Sequence, residues 1–130
     1  MSEESLTRLL ESFGAAWNRH DIEALMACMH DDCVFEAVAG PDACGARHQG
    51  PQAVRKAFES AWLTIPDAQW RNPRVWVKGE QGVVESTFTG TAADGAHIEA
   101  NMVDLITFRD GKILRKNAFR KNRPPMRRTA

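Results

Sequence analysis

The sequence predicts an α+β domain in which three N-terminal helices pack on a curved antiparallel sheet and leave a cone-shaped hollow. Three observations predict this. Apolar residues recur at helical spacing in three early segments. The later segments alternate in polarity and are rich in β-branched and aromatic residues. Each junction between those later segments carries glycine or Asx-Gly turn chemistry, so consecutive strands are expected to pair as hairpins. A chain of 130 residues can bury one core and is too short for two ordinary ones.

The first helix starts at a Ser2 or Ser5 cap and runs to about Asn18, burying Leu6, Leu10, Phe13 and Trp17 on one stripe. Asn18-Arg19-His20 breaks it, and Asp21 caps a short second helix that turns Ile22, Leu25, Met26 and Met29 inward. His30-Asp31-Asp32 is expected to end that helix, with a strand over Cys33 to Val38 and a loop to Gly50. Pro51 suits the first turn of a third helix, which buries Val54, Phe58 and Trp62 and stops at Pro66. Strands follow over Gln69–Val77, Val83–Ala92, His97–Phe108 and Lys112–Arg120. Pro73 marks an edge or a bulge in the first of these. The domain is expected to span 1–121, followed by a basic, proline-containing tail, 122–130, that frays.

Formal net charge is zero, so no overall field draws the chain to nucleic acid or to a membrane. The basic tail has few aromatics and no accompanying phosphate loop or groove-reading helix, which makes it a solvated tail rather than a nucleic-acid arm. The N-terminus reads as acidic and amphipathic, unlike a secretory signal, and no apolar run is long enough to span a bilayer. Cys28, Cys33 and Cys44 are odd in number and lack CxxC spacing, which suits free thiols in the cytoplasm and excludes a disulfide framework or zinc site. His30, Asp31 and Asp32 are consecutive and are not expected to converge on one ion, so no metal is expected.

The chemistry centres on the strand that contains Asp104. Alternation places Ile98, Ala100, Met102, Asp104, Ile106 and Phe108 on one face, which is apolar except for that carboxylate. An unpaired carboxylate among apolar neighbours costs several kcal/mol, so it takes a partner or keeps its proton. Two readings follow. Asp104 is an acid, base or hydrogen-bond donor in a pocket, or it is a structural ion pair with Lys116 or Arg115 on the next strand. Desolvation and a nearby cation shift a carboxyl in opposite directions, which separates them.

Trp17-Asn18-Arg19-His20-Asp21-Ile22-Glu23-Ala24-Leu25, followed by His30-Asp31-Asp32-Cys33-Val34-Phe35-Glu36, resembles the opening of the nuclear transport factor 2-like superfamily. Within it the chain looks closest to the ketosteroid isomerase and SnoaL-like polyketide cyclase branch. Gly50-Pro51-Gln52-Ala53-Val54-Arg55 is similar to the family's third-helix start, and Val103 through Ile113 to its last hairpin. The resemblance implies a cystatin-like cone and a homodimer formed through the sheet. It places Asp104 where the isomerase keeps a neutral aspartic acid that donates to the substrate oxyanion. The isomerase's tyrosine falls on Phe13 and its general base on Ala37, and the chain has no tyrosine, so steroid isomerisation is disfavoured.

The expected ligand is a small, largely apolar, carbonyl-bearing molecule, handled without a cofactor by isomerisation, cyclisation, dehydration or epoxide opening. Asp104 is the expected catalytic residue. Phe13, Trp17, Phe35, Phe58, Trp62 and Met102 are expected to line the hollow, with Trp62 at its mouth and His48 in the loop above. Glu36 is a substitute acid only if its strand bulges. An epoxide-hydrolysing set would need Asp104 beside Arg115 and a second acid. Trp70, Asn72, Arg74 and Trp76 share parity and read as a dimer surface or as a second core layer. The rival to all of this is a non-catalytic binding or association domain.

Overall fold

A computed structural model of the chain describes residues 2–124 and 126–127. Helix α1 spans Glu3–Asn18, with Ser2 as its N-cap accepting from the Ser5 amide. Helix α2 spans Ile22–Ala27, and the Asp21 carboxylate accepts from the Ala24 amide. Strand β1, Met29–Glu36, precedes the short β2, Arg47–Gln49. Helix α3, Pro51–Thr64, leads to β3, Gln69–Lys78, β4, Gln81–Thr91, β5, His97–Arg109, and β6, Lys112–Arg120. No helix among the described residues is long and apolar enough to cross a membrane.

The six strands form one open sheet in the order β2-β1-β6-β5-β4-β3. The four strands β3 to β6 follow hairpin order, as their turn chemistry requires. The expectation of a wholly antiparallel sheet is corrected at one place: β1 runs parallel to β6. That pairing joins residues far apart in sequence, and no local turn signal encodes it. It also corrects the end of the second helix. Met29 and His30-Asp31-Asp32 belong to β1, and the Ile113 amide donates to the Cys28 carbonyl to start the parallel pairing. The register shifts between Met29 and Val34, so the polar segment sits where the ladder is irregular.

Strand β3 is an edge strand, and its register with β4 shifts between Arg71 and Arg74, at Pro73. Asn72 takes φ +54 there. The bulge inverts side-chain parity along the strand. Trp70 therefore points inward, with its ring centroid 4.9 Å from Trp17 and 5.2 Å from Phe88. Trp76 points outward and is 48% exposed beneath the Arg74 guanidinium. Strict alternation had put both tryptophans on one face.

The core lies between the helices and the inner face of the sheet. Leu10, Phe13 and Trp17 of α1 and Phe58 of α3 meet Ile106 and Phe108 of β5. A second cluster, Phe88, Met102 and Ala118, fills the other end of the same face. Gly90 is required where β4 meets the α3–β3 connection, since a Cβ there would lie 2.2 Å from Ile65 Cγ2. Beside it Asp67 accepts from both the Thr91 amide and the Thr91 hydroxyl. The start of the C-terminal tail, expected to fray, lies along β5: Met126 and His97 exchange backbone hydrogen bonds, and Arg123 donates to the Glu99 carbonyl. The rest of that tail, 125 and 128–130, lies outside the described residues.

Candidate functional site

A pocket of about 410 Å³ opens between α1 and the β3–β5 part of the sheet. Helix α1 contributes Phe13 and Trp17, because positions 13 and 17 share the apolar stripe that faces the sheet. The bulged strand β3 contributes Trp70, Pro73 and Val75. Val84 and Ser86 of β4 and Asp104 and Ile106 of β5 form the floor. The Asn18 amide sets the width of the gap, donating to the Trp70 carbonyl and accepting from the Trp70 amide. One side chain thus joins the end of α1 to the start of β3.

Asp104 is the charged group of that floor. Its side chain is 13% exposed, and Lys116 Nζ, on a side chain 6% exposed, donates to its Oδ1 at 3.1 Å. Register explains the pair: Asp104 faces Ala118 across the β5–β6 ladder and Ile106 faces Lys116, so all share the inner face and the acid and amine meet diagonally. The ammonium also lies 4.9 Å from the Phe35 ring centroid and 5.4 Å from that of Trp17. Both contacts favour the cation. The Asp104 carboxyl group is thus held by one partner and open on its other side to the pocket. It can accept a proton or a hydrogen bond. The expected alternative partner on the next strand, Lys116, is the one it meets.

Of the residues expected to line the hollow, Phe13, Trp17 and Asp104 meet in this pocket. Phe58 does not line it, being fully buried with its ring 4.9 Å from Trp17 and 5.1 Å from Phe35. Phe35 packs between Phe58 and His48, and His48 stacks on it at 5.8 Å. Trp62 stacks on His20 at 5.0 Å and meets Trp17 at 5.3 Å. Met102 packs in the second cluster. Aromatic rings fill the centre of the cone, so the open volume lies to one side of them, between α1 and β3. The expected mouth at Trp62 and His48 is not where this pocket opens.

Along β6, the inner face reads Lys116, Ala118 and Arg120, and the Arg120 guanidinium lies 5.0 Å from the Phe88 ring. Arg115 and Asn117 point to the other face. Arg115 therefore cannot join Asp104 in an epoxide-hydrolysing set. It pairs with Glu36, which is fully buried on that far face and also accepts from Arg47 Nη2 at 2.7 Å. Burial by itself would raise the Glu36 pKa. The hydrogen bonds and charges of Arg47 and Arg115 outweigh it and hold Glu36 below the usual carboxylate range. Among the described residues no cluster of three His, Cys, Asp or Glu side chains is arranged to hold a metal ion.

Sequence reasoning missed Ser86, Trp70, Val75 and Val84 as pocket walls. The signal for β4 was present: Val84, Ser86 and Phe88 alternate, and the serine is the polar interruption of an apolar face. The signal for β3 was scrambled by the bulge.

An open six-stranded sheet with helices over its inner face, enclosing an apolar pocket floored by an ion-paired carboxylate, defines a cone-shaped α+β pocket protein. The chain belongs to the SnoaL-like domain family, whose model matches residues 10–116. A comparison with curated proteins found no match. Among solved structures, a protein of Xanthomonas campestris pv. campestris provisionally assigned as a polyketide cyclase is 21% identical, with 90% of each chain covered and a TM-score of 0.80. An NTF2-like protein of unknown function from Mesorhizobium loti is 26% identical over 92% of this chain and 93% of its own, with a TM-score of 0.77. TerC, co-crystallised with polyporic acid, is 20% identical over 90% of this chain and 92% of its own, with a TM-score of 0.76.

Proposed function

We propose that the chain binds a small, largely apolar, carbonyl-bearing molecule in the α1–β3 pocket and acts on it by cofactor-independent proton transfer, as an isomerase, cyclase or dehydratase does. The observation that carries this reading is the Asp104 carboxylate, held at 3.1 Å by Lys116 and open to a pocket with apolar walls. Asp104 takes the proton from the carbon next to the carbonyl, and the Ser86 hydroxyl beside it is available to the same ligand. Lys116 holds the carboxylate in place through its hydrogen bond, and Asp104 returns the proton to the ligand at another atom, which frees the carboxylate for the next turnover. The relatives provisionally assigned as a cyclase or crystallised with polyporic acid support a small-molecule ligand for the fold. The free cysteines support a cytoplasmic setting.

The test is deuterium uptake at the enolisable carbon of 1-tetralone in D2O. The parent protein is expected to speed it, and Asp104→Asn, which keeps an acceptor for Lys116, is expected to lose at least a hundredfold of that rate, roughly the scale of removing a positioned base. Unchanged uptake in the variant removes Asp104 from the mechanism. A second reading, a non-catalytic binding or association domain, is favoured by Lys116 already occupying one side of Asp104. Binding of the ketone without any acceleration of uptake decides for it.

The partner in this reading is a second copy. On the outer face Trp76, Leu105 and Phe119 are 48%, 42% and 50% exposed, and the ladder sets Trp76, Val83 and Leu105 side by side with Val103 and Phe119 in the next row. An apolar stripe on a sheet face matches the centre of a self-complementary dimer interface. Sedimentation should give a dimer for the parent and a folded monomer for Leu105→Glu/Phe119→Glu. A monomeric parent at micromolar concentration rejects the dimer.

A further inference from the structure

The inner face of β4 reads Val84, Ser86 and Phe88, so a hydroxyl stands where alternation would put a third apolar side chain. Ser86 is only 6% exposed. Its hydroxyl has no hydrogen-bond partner among the described residues. The buried side-chain polar atoms that lack both a partner and accessible surface are two others, the indole Nε1 groups of Trp17 and Trp62. Ser86 Oγ therefore keeps some surface, and the space it adjoins is the pocket that Asp104 floors. A buried hydroxyl without a protein partner is a standing cost that alanine would avoid.

We infer that the Ser86 hydroxyl donates to the carbonyl oxygen of the ligand and so decides which carbon faces Asp104. This rests on the reading of the pocket as a carbonyl-ligand site, and it names the group that orients that ligand. The other polar side chains of the lining are already committed or carry the wrong chemistry. Thr7 donates its hydroxyl to the Glu3 carbonyl, the Asn18 amide is engaged at both ends by Trp70, and Glu11 and Asp104 are acids. Register supplies the placement. Val84 faces Asp104 and Ser86 faces Met102, so Ser86 and Asp104 are diagonal neighbours on one face of adjacent strands. Such neighbours stand about 7–8 Å apart, a span that a carbonyl group and the carbon next to it bridge with one contact at each end. With its oxygen on the hydroxyl, a ketone presents the adjacent C–H to the carboxylate. A donor already in place at that oxygen also stabilises the negative charge that gathers there as the proton leaves. A hydrocarbon of the same shape leaves the hydroxyl unpartnered, so the pocket favours molecules that carry an acceptor.

The experiment uses the full chain and two probes, 1-tetralone carrying 13C at its carbonyl and tetralin, which share a body and differ in the carbonyl. Affinity is read by titration calorimetry, and the carbonyl stretch of the bound ketone by infrared difference spectroscopy. The expected result is a stretch below its value in cyclohexane for the parent, moving back up in Ser86→Ala. Ser86→Ala should also weaken 1-tetralone about tenfold, the scale of one neutral hydrogen bond, and leave tetralin unchanged. Ser86→Cys, close to serine in shape and only a weak donor, should behave as Ser86→Ala does. A stretch that stays low in both variants assigns the donor elsewhere and overturns the inference, as does equal loss of the two probes, while the pocket reading survives. Absence of binding to the parent by either probe removes the pocket reading and this inference with it.

Discussion

Arg115 and Lys116 are consecutive on β6, point to opposite faces of the sheet, and each holds a largely buried acid. Outside, Glu36 is enclosed completely and takes two guanidinium groups, from Arg47 and Arg115. Inside, Asp104 takes one ammonium and keeps a side open to a pocket. Burial and ion pairing are common to both, so neither property marks a functional acid. The difference is saturation. Glu36 has both oxygens in use, and its partners tie β2 and β6 to β1. Asp104 has acceptor capacity left over, facing a space that can hold a molecule.

The partners differ as well, and this ranks the ways to break the comparison. Asp104→Leu strands the Lys116 amine, which is only 5% exposed. It should cost about 3–5 kcal/mol in a denaturant melt, the usual penalty for leaving one half of a buried pair. Glu36→Gln strands two guanidinium groups that are 52% and 44% exposed and can turn to solvent, so about 2 kcal/mol is expected. Equal losses in the two variants would show that the lysine does reach water.

Acid sharpens the contrast without mutation of Asp104. The Glu36 pKa is held below the ordinary glutamate range in the folded chain, so the unfolded chain binds the proton first. Its contribution is complete above the unfolded value, near pH 4.3, and is lost as pH falls through the lower folded value. Urea midpoints taken between about pH 6 and pH 3 should fall more steeply for the parent than for Glu36→Gln. Parallel curves would refute the assignment. The smallest effect is expected where both halves of the inner pair are replaced. Asp104→Leu/Lys116→Met should be within about 1 kcal/mol of the parent, or more stable, since buried pairs are often no better than apolar packing. The same double variant should lose tetralone exchange entirely. A pair kept for function rather than stability predicts that combination, and a strongly destabilised double variant contradicts it.

Much of this arrangement was legible beforehand. The helix over Glu3–Asn18, the Pro51 start of α3 and the hairpins at Asp94-Gly95 and Asp110-Gly111 followed from caps, prolines and turn residues, all of which act within a few positions of themselves. The inward face of β5 followed from alternation, and with it the isolation of Asp104 among apolar neighbours. Lys116 was named as one candidate partner. What failed was long-range or irregular. Glu36 could be placed only once β1 was known to pair with β6 in parallel, and Trp70 and Trp76 parted company at a one-residue bulge. A hollow with Asp104, Phe13 and Trp17 in its walls was legible, but its place between α1 and β3 was not, because apolar stripes look the same whether they fill a core or line a cavity.

Local chemistry in the chain was therefore sufficient for the helices, the four hairpin-linked strands, the family and the single acid on the greasy face of β5, but not for the start of β1 or for β2, which lies in an expected loop. Only the folded molecule decided that this acid pairs with Lys116, that its free side opens between α1 and β3, and that aromatic rings pack together at the centre of the cone. The reason is physical. Backbone preference and capping depend on neighbours in sequence, while charge state and cavity depend on which distant side chains arrive within about 3–5 Å of each other.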